Sequence, residues 1–119
     1  MWDEPFYRVQ RDGYEICFVP DADVPLAEID DVDMWVIFKD GRRWSGTIYT
    51  LDDVQRTMDR WQQTGECLDG RFFYVRDGLT VRDRGIPAMV EVVDHLVRSG
   101  EYESVFRDVG RAEDEDWDE

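Results

Sequence analysis

One histidine, one lysine and two cysteines in 119 residues leave little of the side-chain chemistry that catalysis and metal binding usually draw on. His95 is the single imidazole, and it falls inside a helical pattern between Asp94 and Leu96, where a surface position is the plain expectation. A Ser-His-Asp triad would have to pair it with Ser45, Ser99 or Ser104, and none of these sits in a G-x-S-x-G nucleophile elbow. Zinc-ligand spacing, a Gly-rich phosphate loop and a dinucleotide fingerprint are all missing. No catalytic residue, metal ligand or cofactor site is therefore assigned. Cys17 and Cys67 each lie in an apolar stretch and are expected to be buried, reduced thiols, because two lone cysteines do not make a disulfide framework. Neither forms a local signature with His95. No apolar run approaches the ~20 residues of a membrane span. The opening Trp2-Asp3-Glu4-Pro5 is not that of a secretory signal, so a cytoplasmic protein is expected. The scarcity of lysine against thirteen arginines is the mark of a GC-rich coding bias.

What the chain has in excess is acid. Its formal net charge is −15, and that charge is concentrated at the ends. The first thirty-four residues carry ten acids against two bases, and the last nine, RAEDEDWDE, carry six against one. The stretch between them is close to neutral, with thirteen acids and eleven bases. A field of that sign repels nucleic acid, anionic membrane and anionic substrate, and attracts a basic protein.

Length and a 42% hydrophobic content fit one globular domain, expected over residues 1–110, with 111–119 as an acidic tail too poor in apolar residues to fold alone. Four Asp-Gly pairs punctuate it. Asp12-Gly13 joins two apolar runs, Asp40-Gly41 joins two more, and Asp77-Gly78 stands between Phe72–Arg76 and Leu79–Arg82. Each predicts a hairpin with a type I′ turn, and Asp69-Gly70 predicts a turn into the following strand. Thr50 with Asp53 reads as a helix start, Leu51, Val54, Met58 and Trp61 as its apolar spacing, and Gly65 as its stop. A second helix is predicted from near Pro87 to Gly100, with a stripe of Met89, Val92, Val93, Leu96 and Val97. Ser104 to Asp108 would add a short turn. Strand, Asp-Gly, strand, helix and a [T/S]-G-E stop thus occur twice, with glycine-to-glycine distances of 24 and 22 residues. The fold class that follows is α+β: an antiparallel sheet in the order ββ-ββα-ββα, two helices packed on one face, and an internal ββα repeat as one reading of the doubling. The opposite face would either present aromatic surface from Phe72 or Phe73 with Tyr74 or Trp35, or lie beneath the N-terminal hairpin.

The segment from Asp21 to Asp33 holds Asp21, Asp23, Glu28, Asp30, Asp31 and Asp33 and no cation. Val24, Leu26, Ile29 and Val32 are interleaved to anchor it. It lacks the glycine and ligand spacing of a calcium loop, so a solvated acidic loop is the plain expectation and recognition of a basic partner the functional one. The tail adds Glu113, Asp114, Glu115 and Asp116 around one aromatic, Trp117, a pattern suited to docking on a basic groove. With Trp35 and Trp44 as further anchors, these residues form the expected partner-binding set. The run TGECLDGRFFYVRDGLTV, followed by a helix and SGEYESVF, resembles short acidic proteins of high-GC Gram-positive bacteria over roughly residues 35–106. That resemblance implies no catalytic residues. In size and charge the chain is also similar to bacterial immunity proteins, by character and not by motif. The expected function is a non-enzymatic inhibitor of a basic protein, either an immunity protein for a nuclease-type toxin or a nucleic-acid mimic. Two other readings stand beside it: a small enzyme or ligand-binding protein with a pocket lined by Trp35, Trp44, Tyr49, Trp61 and Tyr74, and an accessory subunit or homodimer pairing through its sheet.

Overall fold

The computed structural model describes residues 2–111. Strands β1 (Trp2–Asp3), β2 (Phe6–Gln10), β3 (Tyr14–Val19), β4 (Asp31–Phe38) and β5 (Arg42–Thr50) follow one another as antiparallel neighbours. Helix α1 (Leu51–Thr64) and a short turn α2 (Glu66–Gly70) lead to β6 (Gly78–Val81). Helix α3 (Ile86–Ser99), α4 (Tyr102–Val105) and β7 (Arg107–Arg111) complete the described chain. The far edge of β5 is shared: β6 pairs with its second half in parallel, and β7 with its first half antiparallel. The result is a seven-stranded, mostly antiparallel α+β fold.

Both N-terminal hairpins form where Asp-Gly predicts them, with a different turn. Only the glycine of each pair has positive φ, +89° at Gly13 and +95° at Gly41. Each loop therefore has three residues and ends on a left-handed glycine, the next most common hairpin connection after the two-residue type I′. Helix α1 begins as expected, with the Asp53 amide donating to Thr50 Oγ1 at 3.1 Å, a cap worth about 1 kcal/mol. Gly65 ends α1 and Gly100 ends α3, both in the left-handed region.

The third hairpin does not form. Residues 72–76 make no strand, so the second ββα unit and the structural repeat are absent. Phe73 leaves the ladder to stack on Trp61, with ring centres 5.8 Å apart, and to meet Tyr49 edge-on at 5.1 Å. α1 serves instead as the crossover that a parallel β5–β6 pair requires. The short C-terminal strand β7 occupies positions expected to be a turn and the start of the tail.

Alternation along the strands sorts the sheet into two faces. Ile16 and Phe18 of β3, Val32, Met34 and Val36 of β4, and Ile48 of β5 are buried beneath Ile86, Met89, Val93 and Leu96 of α3. Tyr102 of α4 closes this core against Phe38 and Trp44, and Phe106 lies over Gly46, where a β-carbon would stand 2.5 Å from its ring. α1 buries none of its residues and is seated at the edge beside β5 and β6. The N-terminal hairpin is part of the sheet and not a cover for it. The opposite face carries Arg8, Cys17, Trp35 and Ser45 in one cross-strand row, with Asp33 beside Thr47 and Asp31 beside Tyr49 in the next rows.

Candidate functional site

The acids of the 21–33 segment divide into two groups with different work. Asp30 is half-buried and accepts from Thr50 Oγ1 at 3.3 Å and Arg56 Nη2 at 2.9 Å, so it ties the β5–α1 junction and is not offered outward. Asp31 and Asp33 alternate with buried Val32 and Met34, and the pleat aims both at the sheet face away from α3. Asp21 lines the same shallow depression as Asp31, Asp33 and Thr47, and its Oδ1 is fixed by the Asp23 amide at 3.0 Å. Asp21, Asp23, Glu28, Asp31 and Asp33 are exposed, and no ion pair to any of them occurs among the described residues. Burial, followed by Asp31, Asp33 and Asp53, pushes the Tyr49 hydroxyl above its usual range. Burial and then Asp31 likewise raise Asp53. Among the described residues no cluster of three or more His, Cys, Asp or Glu could hold a metal ion. Glu113, Asp114, Glu115, Asp116 and Trp117 lie outside the described residues.

The five aromatics expected to share a pocket do not converge. Trp44 is packed into the core face against Tyr102, whereas Trp35 and Tyr49 point the other way. Trp61 is reached only through Phe73, and Tyr74 is 74% exposed. The physical reason is strand parity: Trp44 is an odd number of positions from Tyr49 along β5, so one strand cannot turn both to one side. His95 is exposed on α3, 3.3 Å from Glu101 Oε1, as a surface residue.

A cavity does lie between sheet and helix, built from residues that the sequence did not bring together as a site. Val9 on β2, Leu26 before β4, and Ile86 and Val90 on α3 wall a groove of about 570 Å³. Arg11, Glu91 and Asp94 supply its charged lining. Asp94 is 4% exposed and accepts from Arg11 through both Nε, at 3.0 Å, and Nη2, and also from the Tyr14 hydroxyl. Burial and the Asp94 hydrogen bond push the Tyr14 hydroxyl up to about 12, so it stays a donor throughout the physiological range. The spacing of Asp94 places it on the helix but does not single it out. It follows Val90 by four and Pro87 by seven, a second row beside the core stripe of the same helix.

Cys17 is buried and Cys67 half-buried, both as free thiols. Burial pushes the Cys17 thiol up to about 11, which removes the thiolate that would react. A maleimide at neutral pH is expected to label Cys67 alone, with Cys17 joining only in denaturant, as read by intact mass. Labelling of both thiols in the native protein would show that β3 opens readily.

No helix among the described residues is long and apolar enough to cross a membrane. No protein-family model matches the sequence, and no curated protein or solved structure is significantly similar to it.

Proposed function

We propose that this chain is a non-enzymatic acidic binding protein that neutralises a basic protein, as an immunity protein for a nuclease-type toxin or another nucleic-acid-mimicking inhibitor would. The observation that carries this reading is the pairing of Asp31 and Asp33 on one sheet face with Asp21 at their side, exposed and in no ion pair among the described residues, with Arg76 and Arg107 lining the adjoining depression beside Asp33. Carboxylates on a rigid strand are preorganised, so little side-chain ordering opposes binding. Their spacing of two strand residues, about 7 Å, matches the separation of successive phosphates on a nucleic-acid strand that a basic groove would otherwise hold. Long-range attraction of this kind acts mainly on the association rate.

Salt-gradient affinity capture from lysate names the partner, and stopped-flow binding then tests the face. The triple variant Asp21→Lys, Asp31→Lys, Asp33→Lys is expected to associate at least about tenfold more slowly, with a flatter salt dependence and a smaller change in dissociation. Its melting temperature should stay near that of the parent, because none of the three contacts the core. Unchanged association kinetics and salt slope would refute the assignment of this face.

A further inference from the structure

The groove between β2 and α3 is independent of the acidic face and has the construction of a ligand site. From Tyr7 on β2 to Arg11 just past its end the chain extends about 13 Å, and α3 from Pro87 to Asp94 rises about 10 Å. A volume of about 570 Å³ falls within the range of small-molecule sites. Its lining is of two kinds. Val9, Leu26, Ile86 and Val90 offer no hydrogen-bonding side chain, while Arg11 and Asp94, joined to each other, and Glu91 bring charge to it.

That charge decides the ligand. Arg11 is already matched by the buried Asp94 carboxylate, which it grips through two nitrogens. Asp94 Oδ1 accepts twice and Oδ2 once, so Oδ2 retains capacity for another donor. Glu91 is exposed and in no ion pair among the described residues. One cation against two carboxylates leaves the charged lining net negative, within a chain of net charge −15. An anionic head group is repelled there and a cationic one attracted. We infer that this groove binds a small amphipathic organic cation, a primary alkyl- or arylammonium. Its apolar body lies on Val9, Leu26, Ile86 and Val90, and its ammonium meets Glu91 and the Asp94 carboxylate.

The test is an amide chemical-shift titration of the full chain with three probes of equal length: n-octylammonium, 1-octanol and octanoate, all kept below aggregation. Octylammonium is expected to shift Val9, Leu26 and Val90 and to bind about tenfold tighter than octanol, with octanoate weakest. Glu91→Gln, a change at an exposed residue, should weaken octylammonium about tenfold and leave octanol alone. Val90→Trp should abolish binding of both by filling the groove. Equal binding of octanol and octylammonium would overturn the inference, since the groove would then be an apolar slot without head-group choice. So would preference for octanoate, shifts confined to residues outside the groove, or no binding at all.

Discussion

Arg43→Ala is expected to lower the stability of the fold by about 3–5 kcal/mol, read as a loss of denaturant midpoint at unchanged slope. Arg43 is completely buried. Its Nε donates to the Gly110 carbonyl at 3.2 Å, and its Nη2 to those of Val109 at 3.4 Å and Arg111 at 3.0 Å. The strand it holds, Arg-Asp-Val-Gly-Arg, has no alternating apolar residues, and its register against β5 slips between Arg42 and Trp44. A ladder that is short and interrupted gains its geometry from the guanidinium fork, which reaches carbonyls a lysine ammonium could not span together. Alanine would remove those donors and leave a cavity. Arg43→Lys should recover less than half of the loss, because one point charge replaces a planar set of donors. Arg43→Met separates packing from hydrogen bonding, and recovery of most of the stability by methionine would assign the effect to packing. A loss below about 1 kcal/mol for alanine would show that the β5 ladder holds β7 unaided.

The parts of this fold that depend on local chemistry were legible in the sequence. Thr50 and Asp53 mark a helix start, Gly65 and Gly100 mark stops, and Asp12-Gly13 and Asp40-Gly41 mark hairpins, because each acts through its own backbone within a few residues. The misreadings arise where a distant partner decides. Asp77-Gly78 does turn the chain, with the Gly78 amide bonded to the Val75 carbonyl at 3.3 Å. The apolar run before it is claimed by Trp61 and Tyr49, and the strand after it by β5 in parallel. Neither choice is written in the period of residues 72–82. β7 is similarly invisible, since the signal for it is an arginine some 67 residues earlier.

The candidate sites divide along the same line. Exposure of Asp31 and Asp33 follows from alternation with Val32 and Met34, a period-two pattern that the sequence displays. The diversion of Asp30 into the β5–α1 junction does not, because its partners Thr50 and Arg56 are set by how the next hairpin returns. The Arg11–Asp94 pair joins residues 83 apart and needs the β2–α3 packing before it has any meaning. An acid beside an apolar helical stripe is an ordinary boundary residue by spacing alone. Only its partners, and the groove they close, set it apart.

Gly70→Ala is expected to cost about 3 kcal/mol or more, against about 1–2 kcal/mol for Gly13→Ala, although both glycines have positive φ. At Gly13, φ is +89° and a β-carbon would meet nothing within 4 Å, so only the backbone conformation resists the change. At Gly70, φ is +77° and a β-carbon would stand 2.1 Å from the Met58 carbonyl oxygen, in the backbone of α1. That contact cannot be relieved by a side-chain rotation. The turn is already strained, since Cys67, Leu68 and Asp69 all have φ between 51° and 59°, a left-handed run that non-glycine residues rarely sustain. Its close approach to α1 offsets that strain. Pushing the turn away would release it and disturb the Trp61–Phe73 stack with it. The two variants separate the effects: melting temperature reports the size of each loss, and the Trp61 indole resonance reports its place. A shifted Trp61 signal in Gly70→Ala and an unshifted one in Gly13→Ala is the expected pair of results. Equal losses in both would mean that left-handed φ alone sets the cost, and that α1 tolerates the turn at greater distance.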